Sequence, residues 1–340
     1  QSPGPRGPAF SWGGFHRRYL WRNHDHAGTA ASPVGRGNLP ERCGRSRWLV
    51  LIMSGSTLHT IMMPVRGDGK GPVLFAHAAA LAKQFKAHVK VAHCHPKTED
   101  MMPFGVVIPH FLRKQIEEAS QRSAETEEHF LHDKFSEDAA KHGISEQDPD
   151  QTKATASFLE YEGKQADAVR RFGRLADLIC VAKPNKEENL GYNTLKSALF
   201  SSGRPVMVCM ETDQVPDDFG KHVAIGWNGS LEATRAVAMA MPLIENAEQV
   251  SILSGGKSGA VAPADDLREY LRIRGVKATV ALFESRGSNV GRQLLKKCTE
   301  LNANLLIMGA YHDSYEREAL LDGNSATVVA EATIPVVMVH

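Results

Sequence analysis

Hydrophobic and polar positions along this chain alternate in two rhythms, one of strands and one of helices. Thr60-Ile61-Met62-Met63-Pro64-Val65 is a short uncharged run that predicts a strand. A glycine-rich turn, Gly67-Asp68-Gly69-Lys70-Gly71-Pro72, follows it. Leu74, His77, Ala78, Leu81, Ala82 and Phe85 then recur at helical spacing and predict a helix over 73–86. Further strands are expected over 89–93, 156–161, 178–182 and 206–209, with a long helix over 111–142 and a shorter one over 166–174. The long helix carries Leu112, Ile116 and Ala119 on one stripe and Leu131, Phe135 and Ala139 on another. Its acids, including Glu117, Glu118, Glu125, Glu127 and Glu128, read as a solvated face.

The order then starts again. Strands are expected over 223–227, 250–253, 278–283, 303–308 and 334–339, and helices over 230–243, 263–274, 290–301 and 326–332. Gly203-Arg204-Pro205-Val206-Met207-Val208 matches Thr333-Ile334-Pro335-Val336-Val337-Met338, an internal repeat on the scale of a domain. Strand and helix alternating throughout imply an α/β fold with a parallel sheet covered on both faces. The organisation read from this is a first unit over 57–210, a polar linker over 211–220 and a second unit over 221–340, preceded by an extension over 1–56.

Composition sharpens that division. The chain of 340 residues is 42% hydrophobic and 23% charged, enough apolar material for two cores. Its net charge of +1 hides an asymmetry: residues 1–52 hold eight Arg, no Lys and only Asp25 and Glu41 as acids, so the remainder is about −5. A mildly acidic body argues against a nucleic-acid surface. The extension is rich in Gly, Pro and Arg without apolar periodicity and is expected to be disordered. Three origins fit it: a start assigned too far upstream of Met53, a native tail, or an Arg-rich targeting peptide. Trp48 to Met53 is far shorter than a membrane span, and no other stretch qualifies, so a soluble protein is expected. The five cysteines have no CxxC spacing, which fits a reducing, cytoplasmic setting and gives no disulfide framework or zinc site.

The last forty residues carry the chemistry. A run ending at Met308 meets Gly309; a polar loop, Ala310-Tyr311-His312-Asp313-Ser314-Tyr315-Glu316-Arg317-Glu318, leads to Asp322-Gly323-Asn324-Ser325; and Ile334-Pro335-Val336-Val337-Met338 closes the segment. This strand, loop, helix and strand would place backbone N–H groups and a helix N-terminus where an anion can sit. The segment resembles the C-terminal signature of the universal stress protein family, and the resemblance extends over roughly 57–340 in the family's tandem form. It implies two Rossmann-like units of the adenine-nucleotide α-hydrolase type, each a five-stranded parallel sheet with helices on both faces, packed as a pseudo-dimer through their last strands. In nucleotide-binding members the loop reads Gly, two residues, Gly, nine residues, Gly, then Ser or Thr, and wraps the ribose and phosphates of ATP. Here Gly309 stands in the first position, but His312 replaces the second glycine and Asp322 the third, with Gly323 one place later.

The nucleotide-site candidates are therefore Trp227 and Asn228 after the first strand of the second unit, Leu253 at the end of its second strand, and Gly309, Tyr311, His312, Gly323, Asn324 and Ser325 in the loop. By resemblance, Leu253 is where the family meets adenine with backbone groups, and Asn228 stands where the family often has an acid. His312 either blocks a phosphate by bulk or, protonated, pairs with it; Asp322 beside a polyphosphate needs a metal. The first unit offers only Gly191 and is read as holding no nucleotide. Gly255-Gly256-Lys257-Ser258 lacks the leading glycine of a P-loop, having Ser251 there. Gly323-Asn324-Ser325-Ala326-Thr327 is not a nucleophile elbow. His93-Cys94-His95 alternates across a strand and is not read as a metal site, and His129 and His132 read as surface residues.

The sequence thus reads as a universal stress protein that is not an enzyme, acting in stress response, with ATP and magnesium as the candidate ligand of the second unit. Protein partners and a homodimer are expected, and nucleic acid and membrane are not. Two alternatives stay open: an interaction protein that binds no nucleotide, and a slow ATPase in which Asp313 or Asp322 holds magnesium.

Overall fold

The computed structural model describes residues 57–97, 109–185, 187–188, 190–255, 261–284, 289–310 and 323–340. The extension over 1–56 lies outside the described residues, and so do Tyr311, His312, Asp313 and Asp322.

The first half runs β1 (Thr60–Val65), α1 (Gly71–Phe85), β2 (His88–His95), α2 (His110–Lys141), β3 (Ser145–Glu146), β4 (Thr155–Glu162), α3 (Gln165–Gly173), β5 (Leu178–Ala182), α4 (Tyr192–Ser201) and β6 (Val206–Cys209). The second half runs β7 (His222–Gly226), α5 (Leu231–Met239), α6 (Met241–Glu245), β8 (Gln249–Ser254), α7 (Ala264–Ile273), β9 (Ala278–Leu282), α8 (Val290–Glu300), β10 (Leu305–Gly309), α9 (Gly323–Glu331) and β11 (Val336–Val339).

All of the strands join one sheet in the order β3-β4-β2-β1-β5-β6-β11-β10-β7-β8-β9. Every neighbouring pair is parallel except β6 and β11, which run antiparallel with Val336 opposite Val208, Val337 opposite Met207 and Met338 opposite Val206. The expected α/β class, and its pairing of the halves through their last strands, are what the structure shows. The sheets of the two halves join into one continuous sheet, because each last strand presents an unpaired edge that the other satisfies. The seam is apolar, with Val206, Met207, Val336, Val337 and Met338 at most 1% exposed.

Strand alternation divides the core between the two faces of the sheet. Ile61, Met63 and Val65 of β1 pack with Leu74, Phe75 and Leu81 of α1 and with Phe135 of α2. Met62 packs on the opposite face with Val169 of α3 and Leu195 and Leu199 of α4. In the second half, Leu267 and Leu271 of α7 lie on the first face, while Leu294 of α8 and Val328 of α9 lie on the second.

Four elements differ from the sequence reading. The first half has a sixth strand, the two-residue β3. The helix expected over 230–243 is two helices, α5 and α6, because Pro242 lacks the N–H that would continue the ladder. α4 is not among the helices expected from the sequence, although Leu195, Ala198 and Leu199 are buried on one of its faces. In α2 burial is confined to Leu131, Phe135 and Ala139, whereas Leu112 is 41% exposed. No helix among the described residues is long and apolar enough to cross a membrane.

Candidate functional site

Strand order reverses between β7 and β10 in the second half and between β1 and β5 in the first, so the carboxyl ends of these pairs mark two clefts. In the second half β7 and β10 stay paired to their ends, from Leu305 opposite Val223 to Met308 opposite Gly226. Trp227 follows β7 and is 7% exposed. Its backbone N–H donates to the Leu253 carbonyl at 2.8 Å and its indole Nε1 donates to the Ala262 carbonyl at 2.9 Å. The backbone oxygen of Leu253 is thus engaged by Trp227, and the leucine side chain is buried in the core. Asn228 is exposed, and its Oδ1 accepts the Ser230 N–H at 3.1 Å. Ser230 in turn caps α5 by accepting the Ala233 N–H on Oγ at 3.2 Å.

Gly309 closes β10 directly beneath that helix start. A Cβ there would lie 2.4 Å from the Ala233 nitrogen and 2.6 Å from the Glu232 carbonyl carbon, so only glycine lets the first turn of α5 rest on the strand. Glu232 of that turn is 7% exposed. An acid suits the positive end of a helix. Gly323 opens α9 at φ +89°, a conformation that favours glycine. Asn324 turns to the neighbouring helix, where its Oδ1 accepts the Gly291 N–H in the first turn of α8 at 3.1 Å. Ser325 is 5% exposed. Of the expected site residues, then, Trp227, Asn228, Gly309 and Gly323 lie around the carboxyl ends of β7 and β10. Leu253 and Asn324 are held by structural hydrogen bonds, and Tyr311 and His312 lie outside the described residues.

The corresponding cleft of the first half is filled by its own chain. Pro64 has no N–H to continue the ladder, and β1 pairs with β5 only at Ile61 and Met62. Lys70 Nζ donates to the Lys183 carbonyl at 3.4 Å. Asn185 and Leu190 exchange both backbone hydrogen bonds, at 3.0 and 3.1 Å, and Asn185 Oδ1 accepts the Glu187 N–H at 2.9 Å. Gly191 stands before α4 at φ +87°, as Gly323 stands at the start of α9, but its Cβ position lies 3.1 Å from Pro184 Cα. A space between Pro64, Arg66, Lys70, Ala182 and Thr194 measures about 20 Å³, room for one or two waters. Lys183 Nζ also reaches across the seam to the Ala332 carbonyl at 3.2 Å.

No family model matches the chain, and no curated protein matches it. Solved structures do. A universal stress protein from Archaeoglobus fulgidus aligns over 83% of this chain and 96% of its own, with a TM-score of 0.60 at 16% identity. A functionally unknown protein from Pseudomonas aeruginosa aligns over 83% of this chain and 92% of its own, with a TM-score of 0.50 at 10% identity. The fold is that of a universal stress protein. Because 83% of the chain is more than either half holds, the likeness runs across the seam and the universal stress fold is present in tandem. A universal stress protein solved in complex with cAMP aligns over 45% of this chain at a TM-score of 0.27, a likeness too partial to speak for a ligand here.

Within this universal stress fold two histidines of the first half tie elements together. His93, 1% exposed, has Nδ1 at 3.0 Å from Glu160 Oε2 and Nε2 at 3.9 Å from Glu127 Oε1, tying β2 to β4 and α2. His132 Nε2 meets Glu146 at 3.0 Å. Among the described residues no three His, Cys, Asp or Glu side chains are grouped to hold a metal. Burial pushes the Cys94 thiol up to about 12, so it is no nucleophile at neutral pH. What the sequence reading missed is a cavity of about 340 Å³ in the first half, on the face of the sheet covered by α1 and α2. Its signal was the glycine run Gly67, Gly69 and Gly71 after β1, all three of which line the cavity without side chains of their own.

Proposed function

We propose that this tandem universal stress protein acts in the stress response by binding rather than by catalysis, and that an adenine nucleotide is taken up by the second half and not the first. The observation that supports this is the closure of the first-half cleft by its own chain, set beside the two glycines that flank the loop of the second half. The first half closes its cleft with the Asn185–Leu190 bridge, beside a space of about 20 Å³. The second half keeps Gly309 and Gly323, at the end of β10 and the start of α9, on either side of the loop over 310–322. In that cleft the N-terminus of α9 would face phosphate, and the ribose would lie between Gly309 and Ser325. Magnesium would offset the carboxylates of Glu232 and Asp322. The setting is proposed to be cytoplasmic, with other proteins as partners.

A second reading has its own support. Gly309 is explained by the approach of α5, the Asn324 amide is taken by α8, and the buried Glu232 disfavours an anion. On that reading the chain binds partner proteins without nucleotide. Isothermal titration of the full chain with ATP and magnesium separates the two. About one ATP per chain with micromolar affinity supports the first, and no heat up to millimolar ATP supports the second.

A further inference from the structure

We infer that the first half holds a binding site for a small carboxylic acid with an apolar body, in the cavity between the carboxyl end of β1 and the second half of α2. The cavity, about 340 Å³, is walled by Met63 and Val65 of β1, Phe75 of α1, Val91 of β2, and Leu131 and Phe135 of α2. That volume is within the range of small-molecule sites. Since an apolar cavity of about 150 Å³ accommodates benzene, this one holds roughly a dozen carbon atoms. Well-packed cores do not leave such a space among phenylalanine, leucine and valine without cost.

The site is not the cleft where strand order reverses. Met63 and Val91 face α1 and α2 on one side of the sheet, whereas the reversal cleft is lined by Pro64, Ala182, Gly191 and Thr194. The two share Val65, Arg66 and Gly71, where they approach each other.

The rim selects the head group. Arg66 and Lys134 both line the cavity, as does Asp138. Arg66 meets Asp68 only through Nε at 3.5 Å, and Lys134 pairs with Glu137 one turn along the exposed side of α2. Such surface pairs are weak, so a ligand carboxylate can recruit either cation. Burial first of all holds the Asp138 carboxyl above the ordinary range, and it is the one acid on the lining, outnumbered by the two cations. Phe130, 58% exposed, stands at the mouth as an apolar lip. The site is independent of the nucleotide reading, since it uses no residue of the second half.

The test is titration of the full chain with decanoate, and with 1-decanol as its uncharged counterpart. Decanoate should bind at about one per chain with micromolar affinity, and decanol about tenfold more weakly. Val91→Phe, which fills the cavity, should weaken decanoate by more than about tenfold. The rim variant Arg66→Gln with Lys134→Gln lies on the surface and keeps the fold even where Val91→Phe does not, as a thermal melt would show. It should lower decanoate affinity to that of decanol. No decanoate binding up to millimolar concentration overturns the site, as does binding that both variants leave unchanged. Equal affinity for decanol and decanoate overturns the carboxylate assignment.

Discussion

Gly309 and Glu232 set the terms of the second-half cleft. With the Ala233 nitrogen 2.4 Å from its Cβ position, Gly309→Ala forces α5 off the end of β10. The expected loss is about 1–3 kcal/mol or more in urea unfolding, the cost of an overpacked contact with backbone. A variant as stable as the parent would show that α5 yields freely. Glu232→Gln keeps the shape and removes the charge, so ATP affinity should rise by roughly tenfold; unchanged affinity would place the phosphates elsewhere. The buried histidines make stability depend on pH. His77, whose Nδ1–H donates to the Val73 carbonyl, and His88 and His222, which meet hydroxyls of Thr155 and Ser251, all have pKa values lowered chiefly by burial. The unfolded chain takes up these protons near the ordinary value of 6.5 and the folded chain only at lower pH, so stability rises with pH across that interval. The melting temperature should be flat above about pH 7.5 and fall as pH drops below 6.5; no change between pH 7.5 and 5.5 would contradict this.

At the scale of elements, the joint between β6 and β11 holds the halves in one sheet. Val337 is 0% exposed and lies opposite Met207 there. Val337→Asp would bury an unpaired carboxylate, costing several kcal/mol, and should abolish the cooperative thermal transition. A soluble variant with the parental melt would show that the joint carries little of the stability. Both strands were legible in the sequence because β-branched runs with a leading proline stand out at the end of each repeat. α4 was not legible, since only Leu195, Ala198 and Leu199 mark its buried side and Gly191 reads as a turn rather than a helix start. The stripe of Leu112 and Ile116 was misleading. Helical period shows which residues share a face, and not whether that face is covered.

For the whole molecule, the tandem organisation was readable from one repeated motif, and the structure places its two copies side by side across the antiparallel pair. The candidate site was readable only in outline. Gly309 and Gly323 were found as glycines, but the contact that makes Gly309 obligatory comes from α5, far away in the chain. The ties of Asn324 to Gly291 and of Leu253 to Trp227 likewise join distant segments, which no local spacing reveals. The cavity under α2 was invisible for the same reason: its walls come from β1, α1, β2 and α2 together. We propose that the second half alone takes a nucleotide. Isothermal titration of the full chain with ATP and magnesium, run beside Gly323→Val, tests it most directly. About one ATP per chain should bind in the micromolar range, and binding should be lost in the variant while its thermal melt persists. No binding up to millimolar ATP, or binding that survives in Gly323→Val, would contradict it.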